Sequence, residues 1–226
     1  MSTRPADLAV LVSGGLDSAI LCAELLGRHE RVQPIFVRFG LRWEREELAG
    51  LRAFLEQIDR PGLAPLVVLD EPMAGVYGPH WSVGGPGIPD DSSPDEAVHL
   101  PGRNLLLIAK AAVFCQIHRI GTIAVGSLAS NPFRDSSPEF DRSLETTLAL
   151  GLGMPLRLIR PYARLSKVEV LGRGAGLPLG LTISCLDPRS GIHCGACNKC
   201  AERRRGFAEA GLADPTDYRT PSTVDV

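Results

Sequence analysis

Short apolar runs alternate with longer amphipathic stretches along most of the chain. Leu8 to Val12 predicts a first strand, and Asp17 to Gly27 a helix with apolar positions at Ile20, Leu21 and Leu25. Val32 to Phe39 predicts a second strand, and Trp43 to Ile58, with Glu and Arg on its outer face, a second helix. Further strands are expected at Pro65 to Asp70, Thr122 to Gly126 and Leu156 to Ile159. Further helices are expected at Arg103 to Arg119, Pro138 to Leu150 and Ser166 to Gly174. Strands that alternate with helices of this length need crossovers. The pattern therefore predicts an α/β fold, a parallel sheet covered on both faces.

Two regions break the alternation. Glu71 to Leu100 is dense in Gly, Pro, Asp and Ser, too long for a plain connector, and reads as a lid or specificity loop. After about Leu181 come four cysteines, a basic helix from Ala201 to Ala210 and a Pro/Thr/Asp tail expected to be loosely ordered. This divides the chain into a sheet domain, residues 1–180, and a metal-stapled segment, residues 181–226.

Composition narrows the functional classes. The 226 residues are 44% hydrophobic and 22% charged, ordinary values for a globular protein. Lys plus Arg is 24 and Asp plus Glu 26, for a net charge of −2. Without clustered excess cation no nucleic-acid partner is expected. The opening Met1 to Asp7 leads into an apolar run that stops at Ser-Gly-Gly, too short for a signal core or a membrane span. A cytoplasmic protein is expected.

The first strand runs straight into Ser13-Gly14-Gly15-Leu16-Asp17-Ser18, which opens the first helix. Paired glycines let backbone N–H groups approach a ligand, and the helix N-terminus adds free donors and a positive dipole end. Ser13 and Ser18 add hydroxyls. The expected ligand is a phosphate or pyrophosphate. A plain turn with Asp17 or Ser18 as helix cap is the structural alternative. The candidate nucleotide-binding run comprises Val12, Ser13, Gly14, Gly15, Leu16, Asp17, Ser18, Ala19, Ile20, Leu21 and Cys22. This hexapeptide resembles the pyrophosphate loop of the N-type ATP pyrophosphatases, enzymes that cleave ATP between the α and β phosphates to adenylate an oxygen of their substrate.

Cys185, Cys194, Cys197 and Cys200 have the form C-x8-C-x2-C-x2-C. Four thiolates close a tetrahedral Zn²⁺ shell with no open position, so the expected role is structural. An iron–sulfur cluster uses the same ligand count. His193 is a spare donor that four cysteines make unnecessary. Cys22 and Cys115 lie in apolar stretches and read as core.

The loop and the four cysteines together resemble the 7-cyano-7-deazaguanine synthase family of queuosine biosynthesis. Leu100-Pro101-Gly102-Arg103-Asn104, Arg160-Pro161 to Ser166-Lys167-Val168-Glu169, Cys194-Gly195-Ala196-Cys197-Asn198-Lys199-Cys200 and Asp214-Pro215-Thr216-Asp217-Tyr218 also follow that family. The resemblance implies ATP-dependent conversion of 7-carboxy-7-deazaguanine and ammonia to the nitrile, through adenylated intermediates, in a homodimer. It implies that Ser13, Gly14, Gly15, Asp17 and Ser18 hold the ATP phosphates with Mg²⁺. Arg103 and Lys167 are candidates for stabilising charge on the phosphates, against structural roles as helix cap and solvated helix residue.

Two segments depart from the family pattern. Phe39-Gly40-Leu41-Arg42-Trp43 lacks its Gln and His, and Asn131-Pro132-Phe133-Arg134-Asp135-Ser136-Ser137 lacks its tyrosine and cysteine. Both follow strands, where ligands bind in open α/β sheets. Glu139 or Asp135 could recognise a base, and Phe133 or Trp43 could stack on one. The alternative reading is a divergent paralogue that adenylates another carboxylate or conjugates a deazaguanine. Behind it stand a tRNA-modifying enzyme and a non-catalytic nucleotide sensor. The expected architecture is a doubly wound five-stranded parallel sheet in the order 3-2-1-4-5 with a C-terminal zinc knuckle.

Overall fold

The computed structural model describes residues 7–219. The expectations for Met1–Ala6 and for the end of the tail lie outside them. Five strands, β1 (Leu8–Leu11), β2 (Val32–Arg38), β3 (Val67–Asp70), β4 (Thr122–Val125) and β5 (Arg157–Ile159), form one sheet. Its order is β3-β2-β1-β4-β5, and every neighbouring pair is parallel. This is the architecture expected from the sequence. β3 starts two residues later than its apolar run. Pro65 ahead of it has no amide to give a ladder, and its carbonyl accepts from Gln33 Nε2 at 2.7 Å instead.

Among the described residues seven helices accompany the strands: α1 (Leu16–Leu26), α2 (Glu44–Gln57), α3 (Ala74–Tyr77), α4 (Arg103–Ile117), α5 (Pro138–Leu152), α6 (Lys167–Arg173) and α7 (Asn198–Glu209). None in the described region is long and apolar enough to cross a membrane. Side chains of β1 alternate between two cores, as a strand's period of two requires. Ala9 faces a core with Ile108, Ala111 and Ala112 of α4 and Leu144 and Leu148 of α5. Leu8 and Val10 face the other, with α1, Leu51 and Phe54 of α2, Val170 and Leu171 of α6 and Phe207 of α7. In α1 every residue except Asp17 and Glu24 is buried, which places it between the sheet and a second layer of helix. Cys22 and Cys115 are buried in these two cores.

Three expectations needed correction. The basic helix begins at Asn198, not Ala201, so Cys200 lies in its first turn and Cys197 is its N-cap. The Glu71–Leu100 stretch is not featureless, since it holds α3 and 3-10 turns at Trp81–Val83 and Asp95–Val98. The tail is pinned as far as Arg219: His193 N donates to Asp217 O at 3.0 Å, Arg219 N donates to His193 O at 2.9 Å, and Tyr218 lies under Arg204 at 4.0 Å. The loose tail expected from composition did not allow for a backbone bridge and a cation–π contact made by distant residues.

The cysteine segment shares the sheet's interior. Cys185, Leu186, Cys197 and Cys200 belong to one core and Phe207 to the other. Arg203 rivets it in place. Its buried guanidinium donates to Thr182 Oγ1 at 2.9 Å, Leu179 O at 2.9 Å, Ser184 Oγ at 3.2 Å and Thr216 Oγ1 at 2.6 Å. A buried charge with so many acceptors offsets its desolvation through hydrogen bonds.

Candidate active site

A cavity of about 340 Å³ opens at the C-terminal ends of the strands, where ligands bind in open α/β sheets. Val12, Ser13, Gly15, Leu16, Asp17 and Ser18 line it. Gly14 has φ +82°, and a Cβ there would come within 2.5 Å of Glu47 O. Only glycine can take this turn while backing onto α2. The loop is held from within: Ser13 N donates to Ser18 Oγ at 3.1 Å, the two hydroxyls lie 3.2 Å apart, and Ser18 Oγ donates to Gly15 O at 3.2 Å. No side chain caps α1, whose N-cap is Gly15. Its first-turn amides are thus left for an anion. Ser18 serves the loop's shape, and the plain cap alternative does not describe this turn. Ala19, Ile20, Leu21 and Cys22, part of the candidate run, point into the core and are not in the cavity wall.

Lys167 is not a solvated helix residue. Its Nζ donates to Asp17 Oδ1 at 2.9 Å and Oδ2 at 2.7 Å, and lies 3.2 Å from Glu202 Oε1. Burial works against its charge, but Asp17 and Glu202 outweigh burial and hold it above the ordinary lysine value. Glu202 is correspondingly held down at about 2; burial opposes this, and Lys167 and Lys199 prevail. A Cβ at Gly206 would lie 2.8 Å from the Lys167 stem, so a bare backbone on α7 makes room for it. Arg103 also lines the cavity, and its buried Nε has no hydrogen-bond partner among the described residues. Neither Arg103 nor Asn104 caps α4. Asn104 Nδ2 donates to Asp135 Oδ1 at 3.0 Å, and Asn104 N to Oδ2 at 3.2 Å.

The two departing segments both reach this cavity. Leu41 and Trp43 line one part of it with Trp81, and the two indoles stack with ring centres 5.7 Å apart. Asn131, Pro132 and Phe133 line another part, where Phe133 packs on His99 at 4.9 Å. Asp135 is taken up by Asn104, and Glu139 is an exposed first-turn residue of α5 outside the cavity wall. Neither of these expected base readers is therefore placed to act.

Two residues to which the sequence pattern assigned no role shape the cavity. Arg160, after β5, grips Asp141 through Nε (2.7 Å) and Nη2 (2.8 Å) and donates to Ser127 Oγ at 2.5 Å, which fixes the cavity wall. Glu47 lines the cavity, yet in sequence it is one acid among several on an amphipathic helix. Burial pushes its carboxyl up to about 8; the Arg103 charge pulls it down, Glu44 pushes it up and the Trp43 indole, as hydrogen-bond donor, pulls it down.

The Sγ atoms of Cys185, Cys194, Cys197 and Cys200 lie within 4.8 Å of one another. Cys197–Cys200 is 3.5 Å and Cys194–Cys200 3.9 Å, against about 3.8 Å for two thiolates on a tetrahedral zinc. Backbone N–H groups of Cys194 and Asp187 point at Cys185 Sγ, that of Ala196 at Cys194 Sγ and that of Leu186 at Cys197 Sγ, at 3.1 to 3.4 Å. Donors aimed at sulfur suit thiolates, so the four residues fit Zn²⁺. His193 stands apart: burial holds it down at about 4, and its Nε2 accepts from Ser184 N at 3.1 Å. The knuckle touches both sides of the cavity. Ile183 N donates to Gly14 O at 2.9 Å, and Asn198 N donates to Pro89 O at 3.1 Å on the long loop.

Residues 7–211 match the family model described as "Queuosine biosynthesis protein QueC". The chain belongs to this family. It is 32% identical over 222 residues to a 7-cyano-7-deazaguanine synthase of Methanothermobacter thermautotrophicus, covering 92% of this chain and 97% of that one. A synthase of the same name from an Anaeromyxobacter species is also 32% identical, over 234 residues, covering 96% and 99%. One from Magnetococcus marinus is 30% identical over 229 residues, covering 94% and 96%. The resemblance read from the loop and the cysteine spacing is thus confirmed at the level of family. Of the two segments that the sequence set apart, Leu41, Trp43, Asn131, Pro132 and Phe133 lie on the walls of the cavity.

Proposed function

We propose that this chain converts 7-carboxy-7-deazaguanine and ammonia to 7-cyano-7-deazaguanine, using Mg-ATP. The observation that carries the reading is the uncapped N-terminus of α1 behind Ser13-Gly14-Gly15, opening into a cavity large enough for more than phosphate. Membership of the QueC family supplies the substrate class.

The carboxylate attacks the α-phosphorus of ATP, forming an acyl adenylate and expelling pyrophosphate. Ammonia then displaces AMP, loses a proton and leaves the amide. The amide oxygen attacks the α-phosphorus of a second ATP and expels a second pyrophosphate, and loss of AMP and the two remaining nitrogen-bound protons yields the nitrile. In this account Ser13, Gly14, Gly15, Asp17 and Ser18 hold the phosphates of Mg-ATP. Charge builds on the departing pyrophosphate. Arg103, with an unsatisfied buried N–H, is a donor preorganised to meet it. Lys167 acts on the same phosphates through Asp17, whose carboxylate it grips with both oxygens engaged. The long loop contributes Trp81, Asp95, Val98 and Leu100 to the cavity, and so keeps water from an adenylate that hydrolysis would waste. Zn²⁺, held by Cys185, Cys194, Cys197 and Cys200, would supply folding energy only. A homodimer in the cytoplasm is part of the proposal on family grounds.

The test is a mass-spectrometric assay of purified protein with Mg-ATP, ammonium and 7-carboxy-7-deazaguanine, scoring nitrile, amide, AMP and pyrophosphate. Nitrile with two AMP per product is the expected result. Amide alone would place the divergence at the second activation. No turnover by protein that binds ATP and retains zinc would overturn the substrate and favour the paralogue acting on another carboxylate, for which the Trp43 and Phe133 walls are the specific observation.

A further inference from the structure

Five carboxylic acids line the cavity: Asp17, Glu44, Glu47, Asp95 and Glu202. Four are engaged by the protein. Asp17 is gripped by Lys167, and Glu202 by Lys167 and Lys199. Glu44 turns back to accept from Phe39 N at 2.5 Å and Gly40 N at 2.9 Å, closing the turn between β2 and α2. Asp95 is exposed and accepts from Asn198 Nδ2 at 3.3 Å. Glu47 differs from all of them. It is 8% exposed, meets no cation within ion-pairing distance among the described residues, and has only the Trp43 indole as a side-chain donor.

Its surroundings suit a flat, hydrogen-bonding ring. Trp43 and Trp81 stack beside it, 21° from parallel, and Leu41 and Leu100 line the same cavity. A carboxyl against an apolar wall binds best a planar ligand that presents two N–H donors side by side on one edge. Gly14 backs Glu47 from the phosphate loop with bare backbone, so ring and phosphate sites adjoin.

We propose that Glu47 is the specificity residue of the cavity, its carboxyl accepting the ring N–H and the exocyclic amino group of a guanine-type edge stacked along the Trp43–Trp81 wall. The assignment rests on the function proposed above and names the residue that would read the substrate's ring. The incoming donors, together with Arg103 on α4, favour the carboxylate form over the neutral acid, against the like charge of Glu44. The two aromatic and aliphatic positions at Leu41 and Trp43 would then form a wall for the ring, while the polar reading is done one turn further along α2.

Binding of 7-deazaguanine and of 7-deazahypoxanthine, which lacks the exocyclic amino group, tests this on the full, zinc-loaded protein. Wild type should prefer 7-deazaguanine by roughly 10- to 100-fold, the worth of a charged hydrogen bond. Glu47→Gln should bring that preference to within about twofold and leave Mg-ATP binding unchanged. Trp43→Phe, which keeps the carboxyl, should retain the preference. Should the Gln variant fail to fold, Glu47→Asp carries the test, since withdrawing the carboxyl by one methylene should cut the preference about tenfold. A variant at Glu47 that discriminates as well as wild type overturns the assignment while the proposed function stands. A wild type that binds neither ring overturns that function, and the assignment with it.

Discussion

Gly14 has a left-handed backbone and the Glu47 carbonyl where a side chain would go. Gly14→Ala should cost about 1–2 kcal/mol in backbone strain alone. The displaced loop should weaken Mg-ATP binding by tenfold or more, read by calorimetry; unchanged affinity would show that the loop's shape is not set here. Lys167 holds both oxygens of Asp17. Lys167→Met, which keeps the stem, should lower kcat by on the order of 100-fold with a smaller change in the KM for ATP. A rise in KM alone would make it a binding residue only. Glu47 gives a pH signature. Its carboxyl is held at about 8 in the folded chain against an ordinary 4.5, by burial and Glu44 over the opposing Arg103 and Trp43. The folded state thus keeps a proton that the unfolded chain has lost. Its contribution to stability is complete below the lower value and is lost as pH rises towards the higher, by at most about 1.4 kcal/mol per pH unit. Denaturant melts near pH 6 and pH 8 should show this slope in wild type and a flatter one in Glu47→Gln; equal slopes would refute it. In the sequence, Gly14 and Asp17 stood out because their residue types are unusual in that order. Glu47 did not, because an acid on an amphipathic helix looks like solvent-facing charge until the fold buries it.

The long loop between β3 and α4 owes its position to α7 and the knuckle. Asp91 N donates to Ala196 O at 3.1 Å, and Asn198 Nδ2 donates to Ser93 O at 2.7 Å. Asn198→Ala leaves every cysteine in place but removes the side-chain tether. It should raise the rate of limited proteolysis within residues 71–100 several-fold and raise KM for the acid more than kcat falls. Protection equal to wild type would show that the backbone bridge suffices. Composition marked this stretch as a loop. Its partner was out of reach because the bond joins residues about a hundred positions apart. Helix α7 shows the same limit: its start depends on Cys197 serving as N-cap, a role decided by the knuckle's geometry rather than by propensity.

At the scale of the molecule, the cysteine segment is continuous with both cores, and Ile183 N bonds to the phosphate loop through Gly14 O. Chelation of the metal should therefore lower the thermal midpoint of the whole chain in one transition and weaken Mg-ATP binding in parallel. Two separate transitions, or full ATP affinity without metal, would show that the knuckle is an independent appendage.

The sequence by itself determined the parallel sheet, the Ser-Gly-Gly turn that opens α1 and the grouping of the four cysteines. Each of these rests on short-range signals: hydrophobic period, glycine placement and cysteine spacing. The tertiary structure alone decided that Glu47 is buried without an ion-pair partner among the described residues, that Lys167 grips Asp17, that Asp135 is taken by Asn104, and that the cysteine segment bonds to both the Ser-Gly-Gly turn and the long loop. Those are contacts between residues far apart in the chain, and burial, which no local pattern carries, sets their charge and their partners.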